Sequence, residues 1–267
     1  MRLFINVLLL LLSITAKSQK IPKTQTNSVK MPEKTVVNGI DEEWDGKFCA
    51  YNPKLRMSYS ISNNDSNLYL SFKVTDKLAI RKILLGGIEI NIGRTKKNGR
   101  DAMSQVVFPK YNRQYTWYFT RLDEISGRIS NSKAIDSVRI LRNHLIDQKM
   151  KLVGVKRLKS LPDSVMSVYN LSPVKVKSRF DAQLSYIFEF MIPLKEFGLD
   201  VKNDRQFYYE IVLKGVSAGE SDIIVDEERK ILRITGTNIE NTRLPLNAEY
   251  LELAFPTSFS GQCKLAY

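Results

Sequence analysis

The sequence predicts an all-β protein, an antiparallel β-sandwich with one or two short helices. Apolar and polar residues alternate with period two through many short runs, the pattern of strands with one face buried. Gly, Pro, Asn and Asp punctuate those runs, where a βα-repeating fold would place helical segments. Start and stop signals for helices are sparse.

In chain order, strands are expected at 55–61 and over Leu68–Val74, where Leu68, Leu70, Phe72 and Val74 share one face and Tyr69, Ser71 and Lys73 the other. Asp76 is placed to cap a short helix over Lys77–Leu85, which Gly86-Gly87 would end. Strands follow at 87–92 and 103–108. Arg139–Lys159, the densest basic stretch, reads as alternating strand residues, with a strand at 150–156. Another is expected at 174–180. Tyr186, Phe188, Phe190 and Ile192 then alternate with Ile187, Glu189 and Met191. Pro193 opens and Gly198 closes a turn or two of helix. Phe207, Tyr209, Ile211 and Leu213 mark a strand, 231–235 another, and Leu251, Leu253 and Phe255 a closing one. Residues 160–173 and 217–229 read as excursions from the sandwich, loops of the length that often carries function.

The beginning of the chain reads differently. Met1-Arg2, the apolar run Leu3–Leu12 and the small residues Ala16 and Ser18 predict a secretory signal peptide over residues 1–18, cut before Gln19. The run is too short to span a bilayer, and no Cys follows it to carry a lipid. A secreted or periplasmic protein, not membrane-spanning, is expected. Residues 19–34 are polar, basic and Pro-containing and read as a disordered leader to a domain over 35–267. The length left after cleavage suits a single sandwich domain. Without Arg2 and Lys17 the formal charge falls from +13 to about +11. Lys and Arg are scattered, so the charge reads as solvated surface and not as a nucleic-acid-binding arm.

Cys49 and Cys263 form a disulfide candidate in an oxidising compartment, with two separate buried thiols as the alternative. No catalytic machinery is recognisable. The one histidine, His144, sits in an apolar stretch without a G-x-S-x-G or H-E-x-x-H and reads as a packed residue. A glycosidase would need two carboxylates, but nothing singles out Asp123 or Glu124 over Glu189 or Glu210. Glu189, among apolar neighbours, reads as a structural hydrogen-bond acceptor.

Four segments fall in a telling order. They are Val37-Asn38-Gly39-Ile40-Asp41-Glu42-Glu43-Trp44; Asn67–Asp76, with Leu68-Tyr69 leading to Asp76; Gly87–Ile92, with Glu89; and Tyr186–Leu194, with Glu189 before Ile192-Pro193. Together they resemble the family 9 carbohydrate-binding modules and their wider relatives, the dopamine-β-monooxygenase N-terminal-like sandwiches. The resemblance covers the chain from about residue 35 onward. It implies a jelly-roll-like sandwich that holds a glycan by stacking sugar faces on aromatic rings, with polar side chains reading the hydroxyls. The sequence departs from the family at the grip itself. The family's two ligand tryptophans would fall within Lys77–Gly87 and Thr242–Glu249, which contain no Trp, Tyr or Phe. Trp44 instead reads as a buried anchor. Calcium, bound by several members, is implied by the resemblance alone: Asp41, Asp45 and Asn63-Asn64-Asp65 lack the spacing of a calcium loop. No cofactor is called for otherwise. Some relatives hold haem, which would need His144 paired with Met57, Met103, Met150 or Met191; methionines on strands read more simply as core.

The sugar-site candidate is therefore the aromatic cluster around Trp117. Tyr111, Tyr115 and Trp117, with Arg113 and Arg121 beside them, would form a stacking platform with cations for the hydroxyls. The competing reading sends those rings into the core of an ordinary strand. The expected function is that of an exported, non-catalytic carbohydrate-binding protein with a glycan ligand. The alternative is a structural or protein-interaction sandwich of the cell envelope that has lost sugar binding.

Overall fold

The computed structural model describes residues 21–44, 46–94, 102–110, 132–170, 173–203, 205–215, 221–236 and 239–267. The expected signal peptide and the cluster of Tyr111, Arg113, Tyr115, Trp117 and Arg121 lie outside them.

Alternation in the sequence becomes a two-sheet sandwich because each strand has one apolar face to bury. The first sheet contains β1 (Val29–Lys30), β2 (Ala50–Asn52), β3 (Met57–Asn63), β4 (Asn67–Val74), β9 (Lys175–Phe180) and β10 (Tyr186–Pro193), in the order β1-β3-β4-β10-β9, with β2 also on β3. The second contains β5 (Ile88–Gly93), β6 (Ser104–Phe108), β7 (Leu152–Lys156), β8 (Ser164–Ser167), β11 (Gln206–Leu213) and β15 (Thr257–Lys264), in the order β15-β11-β5-β6-β7-β8. All pairings are antiparallel except that of β1 with β3. A three-stranded meander, β12 (Ser221–Asp226), β13 (Ile231–Gly236) and β14 (Ile239–Pro245), stands apart from both sheets and occupies part of the stretch expected to be an excursion.

The inward faces of the two large sheets form one core. Phe72, Phe188 and Phe190 come from the first sheet, and Ile90, Phe207, Tyr209 and Ile211 from the second. Phe108 stacks on Phe188 across the gap, with ring centroids 5.5 Å apart. Burying each such side chain contributes roughly 1.5–3 kcal/mol. A second, smaller cluster covers the outer face of the first sheet, where Met31, Trp44 and Phe48 pack on Tyr69.

Three α-helices are described: α1 (Lys77–Gly86), α2 (Ser132–Lys149) and α3 (Ala248–Ala254). The first follows its sequence signals closely. Asp76 caps it by accepting from the Ala79 N–H at 2.9 Å, and Gly87 ends it with φ +84°. Leu194–Phe197 is the expected short turn, closed by Gly198 in the left-handed region. The other two helices correct the sequence reading, which made strands of both stretches. Asn247 starts α3 through its side chain, and the closing strand follows it as β15.

Two further expectations are corrected. The segment before residue 35 is seated on the sandwich from residue 21 onward. β1 pairs with β3, and the Gln25 side chain exchanges two hydrogen bonds with the backbone of Ile61, both 2.8 Å. Its polar residues replace a missing ladder, which is why composition alone suggested disorder. Cys49 and Cys263 are free thiols. Cys49 packs in the outer cluster and Cys263 in the core between the sheets, so the first sheet lies between them.

Candidate functional site

One buried carboxylate ties three of the four family-like segments together. Glu189 on β10 lies on the outer face of the first sheet and is fully buried. Its carboxylate accepts the backbone N–H groups of Asn38 at 2.8 Å and Gly39 at 2.7 Å and the Tyr69 hydroxyl. Trp44 stacks on Tyr69, with centroids 6.3 Å apart and planes within 13°. Gly39 sits at φ +81°, and a Cβ there would come within 2.9 Å of the Ser178 backbone, so the turn admits only glycine. Burial pushes the Glu189 carboxyl up to about 7, against the pull of its Tyr69, Gly39 and Asn38 donors. The cluster is closed on all sides and serves as architecture.

The third segment supplies a polar row on the outer face of the second sheet. Glu89 pairs with the Lys214 ammonium and accepts from Asn91 at 2.9 Å, and Asn91 accepts from Gln105 at 3.2 Å. Glu89 and Asn91 are both buried.

An open site lies at the β9 edge. There α2 runs alongside the last strand of the first sheet and takes the place of a further strand. The Asn143 side chain accepts the Phe180 N–H at 2.7 Å and donates to the Phe180 carbonyl at 3.0 Å. Arg142 lies over the Phe180 ring, 4.8 Å from its centroid. One turn on, Asp147 pairs with Lys177 at 2.6 Å and Arg179 at 3.3 Å.

Between α2, β9 and the turn after β8 remains a cleft of about 200 Å³. Phe108, Ile146 and Met150 form its apolar floor, and Val168 and Val176 its sides. Asp147 and Lys177 bring polar side chains to it, and Ser178 lies in its wall. Tyr169 stands at the rim, 72% exposed. Ser178 Oγ is closed from bulk solvent without a hydrogen bond of normal geometry, although the Tyr186 phenol lies close enough to interact with it. An apolar wall, an exposed ring and a few converging polar groups are the ingredients of a small-ligand site.

Set against family models, curated proteins and solved structures, the chain matches none.

Of the residues singled out from sequence, Asp41 is engaged by Lys73 at 2.9 Å. Asn64 accepts the N–H groups of Ser66 and Asn67 within its own turn, and Asn63 holds the backbone of Ala266. No three acidic, His or Cys side chains converge as metal ligands among the described residues. His144 is exposed on α2 and bonded to Gln148, contrary to the packed position expected, while Met57 and Met150 lie in the core. Tyr169, Asp147 and Lys177 escaped the sequence reading. The long excursion 160–173 pointed to Tyr169, but Asp147 was hidden once its helix was read as a strand.

Proposed function

We propose that this chain is an exported, non-catalytic carbohydrate-binding protein that works in the periplasm or outside the cell. The observation that carries the reading is the cleft beneath Tyr169, where an exposed ring and an apolar wall meet a carboxylate and an ammonium. Sugars offer the complementary surface: apolar C–H faces for rings and closely spaced hydroxyls for polar groups. The resemblance to family 9 modules supports the same reading. The turn, strand and carboxylate that carry the resemblance meet at Glu189 on the outer face of a two-sheet sandwich. A jelly-roll-like connection of the strands belongs to the same proposal.

A glycan array probed with the form that begins at Gln19 tests it. Reproducible binding to a coherent set of sugars is the expected outcome, and an array silent throughout overturns the reading. A second reading, a protein-interaction domain of the envelope, is favoured by the meander, where Ile224 and Val225 of β12 expose apolar side chains. A silent array together with a binding partner lost on Ile224→Lys substitution would select it.

A further inference from the structure

We infer that the cleft between α2 and β9 takes one sugar ring, read by Asp147 and Lys177 and covered by Tyr169. This rests on the carbohydrate-binding reading and adds the place and the size of the ligand.

Size follows from volume. A cleft of about 200 Å³ falls below the roughly 300–1,000 Å³ of sites for drug-sized ligands, so it holds a single ring and not a stretch of polymer. Polar recognition follows from the ion pair: Asp147 and Lys177 stand 2.6 Å apart at the cleft. Adjacent hydroxyls suit such a pair well. The carboxylate has about four acceptor positions and the ammonium three donors, so both keep capacity beyond their mutual contact. One hydroxyl can donate to Asp147 while accepting from Lys177. Orientation follows from the walls. Val168 and Val176 give the C–H face an apolar surface, and Tyr169 at the rim has a ring free to close over it.

The test titrates methyl glycosides of glucose, galactose, mannose and N-acetylglucosamine. Calorimetry on the folded protein reads the affinities. At least one glycoside should bind, and the matching disaccharide should bind no tighter than the single ring. Tyr169→Ala should weaken binding about tenfold with an unchanged melting temperature, because the ring is exposed. Lys177→Met should weaken it as well, whereas Tyr267→Ala, at another exposed ring remote from the cleft, should leave it unchanged. Glycoside binding that survives both Tyr169→Ala and Lys177→Met overturns the cleft assignment and leaves the carbohydrate reading standing. Binding that grows with chain length overturns the single ring. A wild-type protein that binds no glycoside here and no glycan on the array overturns both.

Discussion

Glu189 is fully buried with three donors aimed at its carboxylate, and burial still raises its pKa to about 7. A carboxyl whose pKa rises on folding makes its full contribution to stability below its unfolded value, and that contribution fades as pH rises through the folded value. Between about pH 5 and about pH 7.5 the group should therefore cost the fold roughly 2–3 kcal/mol. Glu189→Gln removes the titration while keeping an acceptor for the Asn38 and Gly39 N–H groups. Urea unfolding at the two pH values should show the wild-type loss and a flatter response in the variant; parallel slopes would place the pH dependence elsewhere. The cysteines give a second prediction at this scale. Burial pushes the Cys263 thiol up to about 12, so little thiolate exists at neutral pH, and its sulfur is hidden in the core. Cys49 sits half-buried in the outer cluster. An alkylating agent should modify Cys49 alone in the folded, non-reduced protein, and Cys263 only on unfolding. Failure of both to react without reductant would mean that they are joined.

At the scale of elements, the strands and α1 were legible because their local rules agree with their surroundings. Leu68, Leu70, Phe72 and Val74 all face the core, and Asp76 and Gly87 bracket α1 as the sequence suggests. The α2 helix was not legible, for a reason visible in its side chains. Its buried residues Val138, Arg142 and Ile146, with Met150 just beyond its end, keep helical spacing, but an arginine interrupts the stripe and Asn143 is buried beside it. Ile140 and Leu141 meanwhile stand exposed, which gave the stretch the look of a strand. The polar members of the stripe are there because α2 docks against a backbone edge and not only against apolar side chains. Of the candidate site, the excursion that brings Tyr169 was visible in sequence. The pairing of Asp147 with Lys177 depends on tertiary placement and was not. Asn143→Ala should therefore leave the Phe180 N–H and carbonyl without partners, at about 1–3 kcal/mol for each group left bare. Amide exchange at Phe180 should accelerate while β4 and β10 stay protected. Unchanged exchange there would mean that α2 contributes packing alone.

Across the whole molecule, the segment from residue 21 to Met31, which includes the edge strand β1, joins the β3 side of the first sheet to the β15 edge of the second. Its backbone bonds both sheets: Ser28 donates to the Lys264 carbonyl at 2.9 Å, Lys264 donates to the Thr26 carbonyl at 3.0 Å, and Met31 donates to the Asn63 carbonyl at 2.8 Å. Two core phenols reach the same segment from opposite sheets. The Gln25 N–H donates to the Tyr59 hydroxyl at 2.9 Å, the Tyr209 hydroxyl donates to the Gln25 carbonyl at 3.0 Å, and the two phenols are themselves 3.0 Å apart. Burial raises the pKa of both, so they stay neutral and able to donate. Gln25 is only 4% exposed, and its side chain serves the Ile61 N–H and carbonyl where a neighbouring strand would otherwise do so. Removing that side chain leaves two buried backbone groups bare, and each should cost about 1–3 kcal/mol. Gln25→Ala should therefore lower the urea midpoint clearly, while Thr24→Ala, a neighbour without that pairing, should lower it less. Loss of the strap should also open the adjoining sheet edges, so hydrogen exchange at Ile61 should quicken together with that at Lys264. If Gln25→Ala unfolds at the wild-type midpoint, the sandwich is self-sufficient and the segment merely rests on it.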